Sequence, residues 1–456
     1  MKSVLITILA TFSFFPAQTL DSLINKKADM IIKSALTEQI GYQLLGELTE
    51  LGGRVSGSAS SLTVINWAKL KMEELGLANV YLQEAMVPHW VRNDIESAEI
   101  RFKKIRMANR SLNIAALGGS IGTPAEGIVG NVLEVKNFKE LETKKAEAKG
   151  KIIFYNRAFD NTNVNPFISY GMAVDQRVFG AIEASKYGAK AVIVRSVTSK
   201  PDNTPHVGVM RYADSLAQIP ACAIGVQDAD FLSGMLKTDP DLQISIKLNC
   251  ENLPEIMSYN VIGEIEGSEY PDEIIVIGGH LDAWDKGSGA HDDGGGCMQS
   301  IDALLLLKAV GYTPKRTIRC VLFTNEENGS GGAEAYADSA FKSGEKHIAG
   351  IESDRGLGTP RGFSVTADSL TLKKMNSWLP LLNKSLIDWI RPGGSGADIG
   401  KIKNMQAYIG YVPDSQRYFD YHHSANDTFD VVHPREMQLG SASMAILLML
   451  ISEYGI

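Results

Sequence analysis

From Ser58 onward the chain places Leu62, Ile65, Ala68, Met72 and Leu75 at three- and four-residue intervals among polar positions, and the run closes on Gly76. That spacing predicts an amphipathic helix over residues 58–77. Between about Ala116 and Cys250 the texture changes to short β-branched runs, GIVGNVLEV, KIIFYN, KAVIVRS and IPACAIG, interrupted by one amphipathic segment, VDQRVFGAIEASKYG. This reads as a compact β-rich module with its own core, inserted into the chain. From Tyr259 the pattern alternates: SYNVIGEIEG, EIIVIGG, a glycine-led helix, TIRCVLFTN, the helix GGAEAYADSAF, then HIAGIES. Strands alternating with helices imply an α/β fold, a doubly wound and mostly parallel sheet covered on both faces. Sites in such sheets gather outside the carboxyl ends of the strands.

At 456 residues the chain exceeds the size of a single core, so more than one domain is expected. The apolar stretch Val4 to Phe15, with Lys2 before it and the small Ala17 after it, reads as a secretory signal peptide over 1–17. The first part of a catalytic domain then spans 18–115, the insert 116–250 and the main catalytic part 251–456. The apolar run near the N-terminus is too short to span a bilayer and AILLML near the C-terminus is shorter still, so no stable membrane insertion is expected. With 45 Lys and Arg against 53 Asp and Glu, the net charge of −8 gives no electrostatic reason for a nucleic acid partner. Four cysteines, Cys222, Cys250, Cys297 and Cys320, are too few for a disulfide framework and read as buried thiols.

Three successive predicted strands run into acidic or imidazole groups. EIIVIGG leads to His280 and Asp282, CVLFTN to Glu326 and Glu327, and HIAGI to Glu352 and Asp354, while YHHSANDTFD adds His422 and His423. Each piece alone has a bland reading as a solvated turn. Together they form a nitrogen and oxygen donor set suited to zinc. A carboxylate can bridge two cations through its two oxygens, and Asp292, in the turn entering the helix opened by Gly294 to Gly296, is the best placed to do so.

The motifs GGHLDAWDKGSGAHDDGGG, TNEENGSGGAEAY, ESDRG and YHHSANDT, with GGRVSGS upstream, occur in an order that resembles the co-catalytic di-zinc exopeptidases, and within them the plasma glutamate carboxypeptidase or carboxypeptidase Q group. The likeness spans nearly the whole mature chain, and the insert resembles the protease-associated module of that family. It implies two zinc ions, one held by His280, Asp292 and Asp354 and the other by Asp292, Glu327 and His423. His423 is preferred to His422 because the family's histidine precedes Ser or Thr followed by xxDT. Glu326 matches the general base, and Asp282 the residue that orients His280 through its other ring nitrogen. A cis peptide is implied between Asp292 and Asp293.

For the substrate, the resemblance points to Trp284, as pocket wall or as packing under its loop, and to Ser395 or a neighbouring amide in RPGGSGADIGKI, holding an oxyanion or a substrate terminus. His291 matches no family ligand and reads as a solvent-facing loop residue. The implied function is an exported zinc exopeptidase, secreted, periplasmic or lysosomal. It would cleave small peptides, dipeptides with a free N-terminus foremost, by metal-activated water with Glu326 as base. The rival readings are an aminopeptidase on longer peptides, a non-catalytic peptidase-like binding domain, and a single-zinc glutaminyl cyclase-like enzyme. A homodimer is suggested by the resemblance alone.

Overall fold

A computed structural model describes residues 22–456, and the expected signal peptide lies outside the described residues. Two eight-stranded sheets organise the molecule. In the first, the order is Ala78–Val91, Glu251–Ile265, Arg316–Phe323, Tyr270–His280, Lys346–Glu352, Ala407–Pro413, Pro360–Ala367, Trp389–Pro392. The four strands from Arg316–Phe323 to Ala407–Pro413 are mutually parallel. Glu251–Ile265 runs against both its neighbours, and Pro360–Ala367 runs against Ala407–Pro413 but parallel to Trp389–Pro392. The sheet is therefore mixed, with the parallel arrangement expected from the sequence at its centre and in the edge pair Pro360–Ala367 and Trp389–Pro392. Only residues 266–269 join Glu251–Ile265 to Tyr270–His280. So short a link cannot carry a parallel crossover, so the two strands point in opposite directions.

The apolar run in Tyr270–His280 is buried because both faces are covered. Ile275 and Ile277 pack into a core with the helices Gly295–Ala309 and Pro434–Tyr454, while Ile274 and Val276 pack on the other face with Tyr336 of the helix Gly331–Ser343. Pro434–Tyr454 contains the AILLML tract and, among the described residues, is long and apolar enough to cross a membrane. Here it is a core helix, buried from Met437 to Ser452.

The helix predicted from residue 58 is Ala59–Glu74, capped by the Ser58 hydroxyl, which accepts from the Ser61 N–H at 3.1 Å. Its inner face carries Val64, Ile65, Ala68 and Met72. Leu62, expected on that face, is 46% exposed. At 3.6 residues per turn it sits about 120° around the helix from Ala68.

The second sheet runs Arg110–Leu112, Glu96–Arg101, Gln243–Leu248, Ile128–Val135, Ile152–Tyr155, Ala191–Arg195, Ala221–Ile224, Ile114–Ala116, and is also mixed. Its first strand begins at Glu96, ahead of Ala116. Ala78–Val91 pairs with Glu251–Ile265 in the first sheet, and their continuations Glu96–Arg101 and Gln243–Leu248 pair in the second. The chain thus enters and leaves the second unit as one antiparallel ribbon. VDQRVFGAIEASKYG forms two short helices, Asp175–Val178 and Gly180–Ser185. All four cysteines are buried free thiols.

Candidate metal centre

His280 is the last residue of its strand, and Glu326, Glu327 and Asp354 follow the ends of the two strands that flank it. Parallel neighbours end on one edge, so side chains far apart in sequence meet there. Asp292 arrives on a single wide turn, Ala290–Gly294, and its peptide bond to Asp293 is cis. His423 follows the short helix Tyr418–Tyr421 with φ of 59°.

Asp292 lies between two groups. Its Oδ1 is 3.4 Å from His280 Nε2, which is also 3.6 Å from Asp354 Oδ1. Its Oδ2 is 3.2 Å from His423 Nε2, which is 2.8 Å from Glu327 Oε2. His280, Asp292 and Asp354 could together hold a metal ion, as could Asp292 with His422 and His423. The His422 ring is stacked on that of His423, and its Nε2 is 3.6 Å from Asp292. His423 is the one of the pair that also reaches Glu327. Glu326 Oε2 is 4.0 Å from His280 Nε2.

The donor set fits a cation by its own electrostatics. Asp292 Oδ2 and Glu327 Oε1 are buried without a hydrogen-bond partner among the described residues. Burial opposes ionisation of Asp292, yet His280 and His423 hold its carboxyl well below the usual range. Burial pushes Glu326 up to about 8, with the charges of Asp354, Glu327 and Asp282 adding to the rise, and raises Glu327 as well. So many buried carboxylates repel one another unless a positive ion compensates them.

The surrounding residues explain how the ligands are aimed. His280 Nδ1 donates to the backbone carbonyl of Asp282 at 2.9 Å, which leaves Nε2 free as a donor atom. The Asp282 carboxylate, expected in that role, is 3.9 Å away. It accepts instead from Ser56 Oγ at 2.7 Å and from the N–H groups of Glu326 and Glu327 at 3.1 and 3.3 Å. Asp282 therefore shapes the glutamate loop. Asp293 accepts from the His280 N–H at 3.1 Å, and Asp427 from the N–H groups of His291 and Asp292 at 2.7 and 3.1 Å. Arg54, fully buried, donates to the carbonyls of Leu281, Ser288 and Gly289 and so braces the loop after His280.

One expectation changes, that of a solvent-facing His291, and two substrate candidates find their positions. His291 is buried, stacked on Tyr421 with ring centroids 4.9 Å apart, and its Nδ1 accepts from the Leu357 N–H at 3.2 Å. Trp284 is 3% exposed, and a side chain at Gly118 would collide with its ring. It packs between the two units, edge-on to His423 at 6.0 Å, and also lines a small pocket together with Asp292, Glu327 and His423. Ser395 is buried in the loop next to Gly400 and Gly410, not among the donor atoms. Sequence reasoning passed over Arg54, Ser56, Asp427 and Arg177. The first three stand inside quoted motifs, where an arginine, a serine or a loop aspartate reads as solvated.

The profile of peptidase family M28 matches residues 260–447. Carboxypeptidase Q of Xenopus laevis is 39% identical over 404 residues, covering 87% of this chain and 82% of that protein. The Homo sapiens carboxypeptidase Q is 36% identical, covering 89% and 84%. The crystal structure of a peptidase M28 precursor from Shewanella amazonensis superposes with a TM-score of 0.89 at 31% identity, over 95% of this chain and 98% of that one. A zinc aminopeptidase from Bacillus subtilis, 19% identical, shares the fold with a TM-score of 0.63 over 90% of this chain and 94% of its own. The chain belongs to peptidase family M28, within it to the carboxypeptidase Q group, and is a metallo-exopeptidase.

Proposed function

We propose that the chain is an exported exopeptidase that uses two zinc ions to hydrolyse short peptides, dipeptides with a free N-terminus foremost. The observation that carries this is Asp292, which turns one oxygen to His280 and the other to His423. His280 and Asp354 would complete one zinc site, Glu327 and His423 the other. When bound, such a pair supplies Lewis acidity toward a water and toward the peptide carbonyl.

The protein's own groups do the rest. Glu326, whose side chain keeps 24% of its surface open, accepts the proton of the attacking water and returns it to the leaving amine. Asp282 fixes the backbone of Glu326 and Glu327, so the base and a ligand move as one body. Arg355, the residue after Asp354, joins Phe167, Trp389 and Arg391 in lining a cavity of about 540 Å³. Arg391 stacks on Trp389 and Arg355 lies over Phe167, an arrangement that suits a peptide carboxylate.

The division into a catalytic unit and an insert belongs to the same proposal, with the strands between Glu96 and Leu248 as a protease-associated module. So do export directed by residues 1–17 and a homodimer, which sedimentation at low concentration tests. Metal analysis coupled to a chelator-sensitive assay on a dipeptide, its N-blocked form and its C-amidated form tests the chemistry. Two zinc ions per chain and loss of cleavage on N-blocking are expected. One ion without peptidase activity would mean a cyclase-like enzyme, and no metal uptake would sink the proposal.

A further inference from the structure

The two sheet units meet along the segment that carries His423. Residues 206–208 of the second unit run antiparallel to residues 422–424, with His206 bridged to Ser424. The Val207 N–H donates to the His423 carbonyl at 2.8 Å, and His206 Nδ1 donates to the His422 carbonyl at 2.7 Å. The ring of His423 is held from the same side. Its Nδ1 is 3.2 Å from the Val207 carbonyl oxygen. Arg177, 5% exposed and also from the second unit, sends Nη1 to that same oxygen at 3.0 Å and to within 3.3 Å of His423 Nδ1, while its Nη2 donates to the Tyr170 hydroxyl at 2.8 Å.

A histidine can offer Nε2 to a cation only if its proton sits on Nδ1, and that proton needs an acceptor. A guanidinium has donors alone, so the acceptor is the Val207 carbonyl, and Arg177 fixes where that carbonyl points. Gly208 makes the approach feasible. It has φ of 130°, and a Cβ there would lie 2.4 Å from Arg177 Cζ and 2.6 Å from His423 Nδ1.

We propose that the second sheet unit is a working part of the metal centre, with Val207 and Arg177 as positioning residues that set the tautomer and orientation of His423. The inference rests on His423 being a metal ligand, as proposed above. Partners of this kind typically change metal affinity about 10- to 100-fold when lost.

The test uses the full chain, three variants and a fourth held in reserve. Zinc affinities come from competition with a chromophoric chelator, ligand geometry from the visible spectrum of the Co²⁺ form, and folding from the far-UV spectrum of the metal-free protein. Arg177→Met is expected to weaken one of two sites about 10- to 100-fold and shift the Co²⁺ bands, leaving the other site intact. Arg177→Lys, which restores a donor to Val207, should recover part of the loss. Ser199→Ala removes another contact between the units, the 2.9 Å hydrogen bond to Asp420, and should bind as the parent does. Should Arg177→Met not fold, Tyr170→Phe removes the 2.8 Å partner of Nη2 instead, with a weakening of the same site expected. Parent-like affinities and spectra in Arg177→Met, or an equal loss in Ser199→Ala, overturn the inference while leaving the two-zinc reading intact. A parent chain that takes up no divalent metal overturns both.

Discussion

Glu326 and Glu327 are consecutive, yet the turn after Arg316–Phe323 aims them at different partners: Glu327 at His423, Glu326 into the open space beside His280. Replacing Glu326 by Gln keeps shape and hydrogen bonding but removes the basic oxygen. Turnover should fall by about 10² to 10⁴ while zinc content stays at the parent level. A variant with parent turnover would remove Glu326 from proton transfer. Far from the centre, Asp302 makes a different case. It is fully buried under Gly41, accepts from Gln438 Nε2 at 3.0 Å, and has an Oδ1 without a partner among the described residues. Burial pushes its carboxyl up to about 6, against the hydrogen bond from Gln438 that lowers it. The folded state then holds the proton more tightly than the unfolded one, so stability falls as pH rises from about 4 to 6 and the cost is complete above that window. At about 1.4 kcal/mol per unit this amounts to roughly 3 kcal/mol. Asp302→Asn should therefore stabilise the protein by up to about 2–3 kcal/mol at pH 7.5 and by much less at pH 4.5, read from denaturant midpoints. Equal gains at both pH values would show that the carboxyl is not the source.

At the scale of elements, the strand Tyr270–His280 and the turn Ala290–Gly294 fit together because glycines leave room for the Asp293 side chain. A Cβ on Gly279 would lie 2.1 Å from Asp293 Oδ2, and one on Gly296 would lie 1.9 Å from the Ser353 carbonyl oxygen. Asp293 in turn holds the His280 N–H. Gly279→Ala should thus cost about 1–3 kcal/mol through overpacking and lower zinc content with it, because the turn carrying Asp292 must retreat. Retained zinc at parent stability would contradict this. These elements also show what the sequence makes legible. Two-sided burial writes itself as EIIVIGG, and parallel neighbours bring His280, Glu326, Glu327 and Asp354 to one edge, so the alternating pattern and the acidic strand ends pointed to that edge, while the roles within it came from the family motifs. The antiparallel flanks were not legible, since they follow from link length and from pairing partners far off in the chain. Leu62 was misplaced because three-residue steps drift around a helix, as the exposure of its side chain shows. Arg177 and Val207 left no local signal either, because their role exists only where two units touch.

In the whole molecule, the metal centre and the contact between the units share the segment around His423. A second link lies nearby: Arg92 pairs with Glu96 at 2.7 Å and with Asp285 at 2.8 Å, and Lys286 reaches Glu96. Arg92 and Glu96 keep only 7% and 11% of their side-chain surface, so breaking these pairs would leave charge buried. Anything that binds the folded state stabilises it by mass action, and zinc at 100 times its dissociation constant would add about 2.7 kcal/mol. With the ligands proposed above, that energy would enter at Asp292, Glu327 and His423, and the backbone bonds between residues 422–424 and 206–208 would carry it into the second unit. Chelation should therefore speed amide hydrogen exchange at Val207, whose N–H donates to His423, as well as at the ligand loops. The centre of the first sheet around Ile275 to Ile277, buried on both faces, should keep its protection. Faster exchange confined to the ligand loops, with Val207 unchanged, would mean that the second unit docks without feeling the metal.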